Sequence, residues 1–124
     1  MYITNTVKIM ENNIELRPWG YFEILSDQPG RKIKKLVIKP NQKISLQSHK
    51  LRTEIWFIED GKGVVTIDEG EGVVTKGSFV HIPLKSKHRI WNHDDKQDLV
   101  IIEIAYGKCD EKDIIRYDDM YNRT

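Results

Sequence analysis

The sequence predicts an all-β, single-domain protein, on three observations. Short runs rich in β-branched and aromatic residues recur along the chain, separated by Gly, Pro, Asn and Asp. No segment before about residue 110 keeps the 3.6-residue apolar period of an amphipathic helix. The length, 124 residues, suits one domain that can bury a core without disulfides.

The strands follow in order. Residues 21–25 form the first, and Gln28-Pro29-Gly30 turns the chain into a second at 32–39. Pro40-Asn41 punctuates, and 44–49 is extended again. Residues 54–59 lead through Asp60-Gly61, a strong turn pair, into 64–67. A reversal at 69–72 precedes a strand at 73–75, and Lys76-Gly77 separates that strand from 79–82. Pro83, a strand at 88–91 and a last one at 99–106 complete the pattern. The domain then divides into an N-terminal arm at 1–14, a core at 15–107 and a C-terminal extension at 108–124. Ile114, Ile115, Tyr117 and Tyr121 anchor the extension, read as a short turn plus a strand or helix docked on the core.

Composition excludes several classes. Twenty Lys and Arg against nineteen Asp and Glu give a net charge of +1, too balanced for a broad field toward nucleic acid or an anionic membrane. Cys109 is the single cysteine, so neither an internal disulfide nor a CxxC metal site is available. Residues 1–20 lack the apolar core of a signal peptide, and the longest apolar runs fall far short of the roughly 20 residues that span a bilayer. A cytoplasmic location is the expectation.

Two segments carry chemistry. In the first, Gln47 and His49 are two residues apart, so on a strand they share a face, and Glu54 begins the next strand across a short turn. In the second, five residues separate Gly77 from Pro83, four separate Pro83 from His88, and three separate His88 from Asn92. Two imidazoles, a carboxylate and an amide oxygen make a mixed nitrogen and oxygen shell for one divalent ion. Zn, Mn, Fe, Ni and Co all suit these donors. Taken singly, a histidine reads as a surface or packed residue; the joint spacing sets His49 and His88 apart. His81 and His93 read as bystanders. Trp19, Trp56 and Trp91 read as core or interface residues, with Trp56 turned inward by its parity with Glu54.

The two segments resemble the paired motifs of the cupin superfamily, with Asn41 and Lys85 where the motifs have Gly and Gln47 where they have His. A closer resemblance covers nearly the whole chain. Arg17-Pro18-Trp19-Gly20, the run 32–40, the run 45–49, Arg52-Thr53-Glu54-Ile55-Trp56, Ile82-Pro83, His88-Arg89 and the run 113–119 look like the cupin half of bacterial type II mannose-6-phosphate isomerases. Lys50, Leu51 and Ile55 stand where that family has further histidines. The resemblance implies a jelly-roll cupin, a homodimer, carbohydrate metabolism, and isomerisation of an aldose phosphate and a ketose phosphate. Mannose 6-phosphate and fructose 6-phosphate are the type pair. In that family a mannose-1-phosphate guanylyltransferase domain often precedes the cupin, so a functional link to a separate protein of that kind is expected.

The implied roles fall on particular residues. Gln47, His49, Glu54 and His88 hold the metal, and Arg52, which matches the motif Arg, is the candidate catalytic or substrate-orienting residue. Lys85, Lys87 and Arg89 are the candidate phosphate contacts, with Arg17 and Lys34 behind them. Each of these cations has a plain alternative: Arg52 as a solvated turn residue, and the Lys85, Lys87 and Arg89 group as a solvated strand edge. Two rival functions remain beside the isomerase. One is a cupin that binds a sugar or sugar nucleotide without turnover; the other is a non-haem iron dioxygenase.

Overall fold

The computed structural model describes residues 13–123. Of the expected arm at 1–14, all but Asn13 and Ile14 lies outside the described residues. Eleven strands follow one another: β1 (Ile14–Arg17), β2 (Gly20–Gln28), β3 (Arg31–Ile38), β4 (Leu46–Ser48), β5 (Arg52–Asp60), β6 (Lys62–Ile67), β7 (Gly70–Thr75), β8 (Phe79–Ile82), β9 (His88–Trp91), β10 (Leu99–Gly107) and β11 (Ile115–Asp118). They form two antiparallel sheets, ordered β1-β2-β3-β10-β5-β8 and β11-β4-β9-β6-β7. Among the described residues there is no helix, so none is long and apolar enough to cross a membrane.

Strand parity decides which residues face inside. Along β5, Arg52, Glu54, Trp56 and Ile58 are buried while the residues between them are not. β10 repeats the pattern with Leu99, Ile101, Glu103 and Ala105. The two strands run antiparallel, so Ile101 lies opposite Ile58, Glu103 opposite Trp56, and Ala105 opposite Glu54. One half of the barrel therefore collects aliphatic groups and the other half collects polar ones. At the aliphatic end Ile38, Ile58, Ile90, Leu99 and Ile101 are each 0% exposed. Each contributes about 1.5–3 kcal/mol through burial, which stabilises a frame rigid enough to hold charged groups at the other end.

Two expectations shift. The reversal placed at 69–72 occurs at Asp68-Glu69, because Asp68 adopts a φ of 51° and its carboxylate accepts the Lys87 amide at 2.9 Å. Gly70, Glu71 and Gly72 are thereby freed to pair with β6. The C-terminal extension resolves to a turn and a strand: β11 pairs with β4, which makes residues 115–118 a wall of the barrel rather than an appendage. Asn92, the last residue of the second motif, is structural. Its buried amide donates to the Ile38 and Gln97 carbonyls at 2.9 and 2.8 Å.

Candidate metal centre

The polar end is assembled from both sheets. Gln47 in β4 lies directly opposite His88 at the head of β9. His49 follows one residue after β4, and Glu54 projects inward from β5. His49, Glu54 and His88 are buried and offer one ligand atom each, all within 4.8 Å of one another. Gln47 lines the same cavity, and its Oε1 accepts from Ser45 Oγ at 3.3 Å.

The tautomers decide what this cluster can bind. His49 Nδ1 lies 2.6 Å from the Asp113 carbonyl oxygen, and His88 Nδ1 lies 2.9 Å from that of Ser86. A carbonyl only accepts, so each Nδ1 carries the proton and each Nε2 presents a lone pair. His88 Nε2 stands 3.2 Å from Glu54 Oε1, and His49 Nε2 stands 3.8 Å from Glu54 Oε2. Arg52 reaches both His49 Nε2 and Glu54 Oε2, whereas His88 Nε2 faces Glu54 Oε1 acceptor to acceptor and is buried without a hydrogen-bond partner. In a poorly screened interior such an arrangement is unfavourable unless a cation joins the lone pairs. The donor set fits a divalent ion: two imidazoles fixed through their far nitrogens, one carboxylate, and an amide oxygen alongside.

Protonation agrees with that reading. Burial pushes the His49 pKa down, and the Arg52 charge adds to this against the pull of Glu54, so the ring is neutral at pH 7. For Glu54, burial favours the neutral acid. The neighbouring polar groups, His88 first among them, and the Arg52 guanidinium outweigh it and hold the carboxyl well below the usual range. Glu103 moves the other way, raised first by burial and then by the Glu54 charge, so it keeps its proton.

Arg52 is 7% exposed and lies inside the cluster, not in solvent. Its Nε donates to Glu54 Oε2 at 3.1 Å, and its Nη2 lies 3.3 Å from His49 Nε2. The candidate phosphate contacts are placed elsewhere. Lys87 and Arg89 flank His88 in sequence, and adjacent strand residues point to opposite faces. Accordingly Lys87 sits over the Tyr117 ring at 4.4 Å, while Arg89 binds Asp118 at 2.9 Å and the Ile44 carbonyl at 3.1 Å. Lys85 is exposed and uses its backbone amide to hold the His49 carbonyl at 2.8 Å. None of the three lines the cavity bordered by Gln47, His49 and Glu54.

That cavity holds about 70 Å³, room for an ion and several waters. Arg17, Lys34, Arg116 and Arg123 supply its positive lining. Sequence reading missed Glu103, although its position two residues after Ile101 on an alternating strand marks it as inward-facing. It also missed Asp113 as a support. The Asp113 carboxylate accepts the Lys50 and Leu51 amides at 3.0 and 2.9 Å while its carbonyl orients His49.

Residues 5–119 match the family model described as mannose-6-phosphate isomerase C-terminal. The alginate biosynthesis protein AlgA of Pseudomonas putida is 38% identical over 117 residues, covering 92% of this chain and 24% of that protein. The xanthan biosynthesis protein XanB of Xanthomonas campestris is 35% identical over 109 residues, with 87% and 23% covered. A putative mannose-1-phosphate guanylyltransferase of Vibrio cholerae is 31% identical, with 93% and 25% covered. The chain thus spans about a quarter of the length of the curated relatives it matches. Among solved structures, the capsular polysaccharide assembling protein CapF of Staphylococcus aureus superposes with a TM-score of 0.75 at 23% identity, over 85% of this chain and 32% of that one. A cupin 2 conserved barrel domain protein of Salinispora arenicola gives 0.67 at 19% identity, over 79% and 84%. These two likenesses speak to the fold, which is the cupin barrel. The residues matched to the family model include all of β1 through β11, and the chain belongs to the mannose-6-phosphate isomerase C-terminal family.

Proposed function

We propose that this domain is a metal-dependent aldose–ketose isomerase acting on a sugar phosphate, with mannose 6-phosphate and fructose 6-phosphate as the expected pair. One observation carries the reading: the ligand atoms of two imidazoles and an ionised carboxylate converge within 4.8 Å of one another, with His88 Nε2 left without a hydrogen-bond partner, beside a cavity lined by arginines. Family membership supports the substrate class. Gln47, His49, Glu54 and His88 would hold the ion, with Zn expected and Mn, Fe, Ni or Co compatible. Such an ion supplies Lewis acidity toward the carbonyl and neighbouring hydroxyl oxygens of the sugar.

The remaining steps belong to the chain's own side chains. Arg52, with its guanidinium against Glu54, presents fixed positive charge where oxygen becomes negative. Glu103 holds a proton on its carboxyl beside Glu54 and is the lining group placed to give or receive one. Trp19, Phe22 and Trp56 line the same cavity and exclude water from it. A functional link to a separate mannose-1-phosphate guanylyltransferase accords with the Vibrio cholerae relative. For the expected homodimer, Val73 on β7 and Phe79 on β8 are 68% and 72% exposed on sheet edges, and sedimentation of the intact chain decides it.

The test is an isomerase assay of metal-loaded protein with mannose 6-phosphate, beside His88→Ala. Turnover by the wild type and its loss in the variant support the reading. A metal-replete wild type that converts no hexose phosphate sinks it in favour of a binding-only cupin. Oxygen uptake with iron alone would point to the dioxygenase.

A further inference from the structure

We infer that Arg116, flanked by Arg17 and Arg123, is the anion subsite of the cavity and takes the phosphate of the sugar phosphate, an assignment that rests on the substrate class proposed above. The placement comes from strand pairing. Arg116 in β11 lies directly opposite Gln47 in β4, so the two side chains share a face, and both line the cavity.

What distinguishes Arg116 is that no ion pair answers its charge. Arg17 pairs with Glu15 at 2.8 Å, Lys34 with Glu111 at 2.6 Å, Arg52 with Glu54 at 3.1 Å, and Arg123 with Asp119 at 2.7 Å. Among the described residues Arg116 has no acidic partner, and its Nε is buried without an acceptor. Burial lowers its pKa, the neighbouring Arg123 and Arg17 charges lower it further, and Asp119 only partly offsets them. A guanidinium kept half-buried in like-charge company weakens the empty fold, and an arriving anion removes the penalty. The planar fork suits a phosphate, whose three acceptor oxygens and charge of about −1.5 to −2 exceed what a neutral sugar hydroxyl offers.

The experiment is calorimetric titration of metal-loaded wild type, Arg116→Gln and Arg116→Lys with mannose 6-phosphate and with mannose, run beside isomerase kinetics. The wild type should bind the phosphate ester about 10–100-fold more tightly than the free sugar. Arg116→Gln should erase most of that preference with metal content kept, and Arg116→Lys should restore part of it. Arg116→Gln should also melt about 3–5 °C above the wild type, because an uncompensated charge is gone. No phosphate preference in the wild type, an undiminished preference in Arg116→Gln, or a lower melting temperature in that variant overturns the assignment. A preference that depends on Arg116 in a protein without turnover sinks the isomerase reading and leaves the subsite standing. Turnover with an unchanged KM in Arg116→Gln does the reverse.

Discussion

Glu103 and Glu54 face into the polar end of the barrel from neighbouring strands, and burial together with the Glu54 charge raises the Glu103 pKa, so the pair keeps one proton between them. Glu54 is the ionised member and Glu103 the protonated one. The pair follows from register: an inward-facing Glu on β10 meets the inward row of β5, and burial prevents both from ionising.

A pH dependence follows for the metal-free protein. With its folded pKa raised above the ordinary 4.5, Glu103 binds more protons folded than unfolded once the pH exceeds that value. It therefore erodes stability as pH rises from there toward its folded pKa. Glu103→Gln removes this slope and keeps a neutral polar group beside Glu54. Urea unfolding from pH 4.5 to 8 should show the variant gaining on the wild type by up to about 1.4 kcal/mol per pH unit. A gap that does not change with pH contradicts the shared proton.

Asp113 should tune metal affinity without touching the ion. Its carboxylate pins the Lys50 and Leu51 amides, and its carbonyl fixes the His49 ring. Asp113→Ala is expected to weaken Zn binding by about 10–100-fold in a chelator competition, with the fold intact. Unchanged affinity would mean that the His49 loop needs no such brace.

Arg52→Ala should separate chemistry from metal binding. The guanidinium leaves a cluster of ligands, so metal content should be kept while turnover falls by about 100-fold or more. Loss of metal instead would make Arg52 a structural residue.

Lys85 adopts a φ of 65°, a left-handed conformation that disfavours a β-carbon, where the related motif has Gly. Lys85→Gly should therefore stabilise the protein by about 0.5–1 kcal/mol in urea unfolding, the relief of strain exceeding the entropy that Gly adds to the unfolded chain. A destabilised variant would show that the lysine side chain contributes more than its backbone costs.

Much of this site could be read before any coordinates, because strand period and motif spacing are local properties. The ligand atoms of His49, Glu54 and His88 lie within 4.8 Å of one another, and Gln47 lies opposite His88 in the β4–β9 pairing. What local spacing does not encode is which distant strand lies alongside. Glu103 stands beside Glu54 only through the β10–β5 register, and Arg116 reaches Gln47 only because β11 pairs with β4 across some seventy residues of chain. Lys85, Lys87 and Arg89 illustrate the converse. They are near His88 in sequence, yet Lys87 and Arg89 alternate onto the outer face and Lys85 sits in an exposed turn. Asn41 at a φ of 63° shows the same economy as Lys85: the motif's Gly is replaced, but the backbone shape it served is kept.

The most direct measurement is metal stoichiometry by mass spectrometry on protein reconstituted with Zn and dialysed, for the wild type, His49→Ala and His88→Ala. One ion per chain in the wild type, and its loss in both variants while they stay folded, is the predicted result. A wild type that retains no ion, or histidine variants that retain as much as it does, would contradict the convergence of these side chains on a cation.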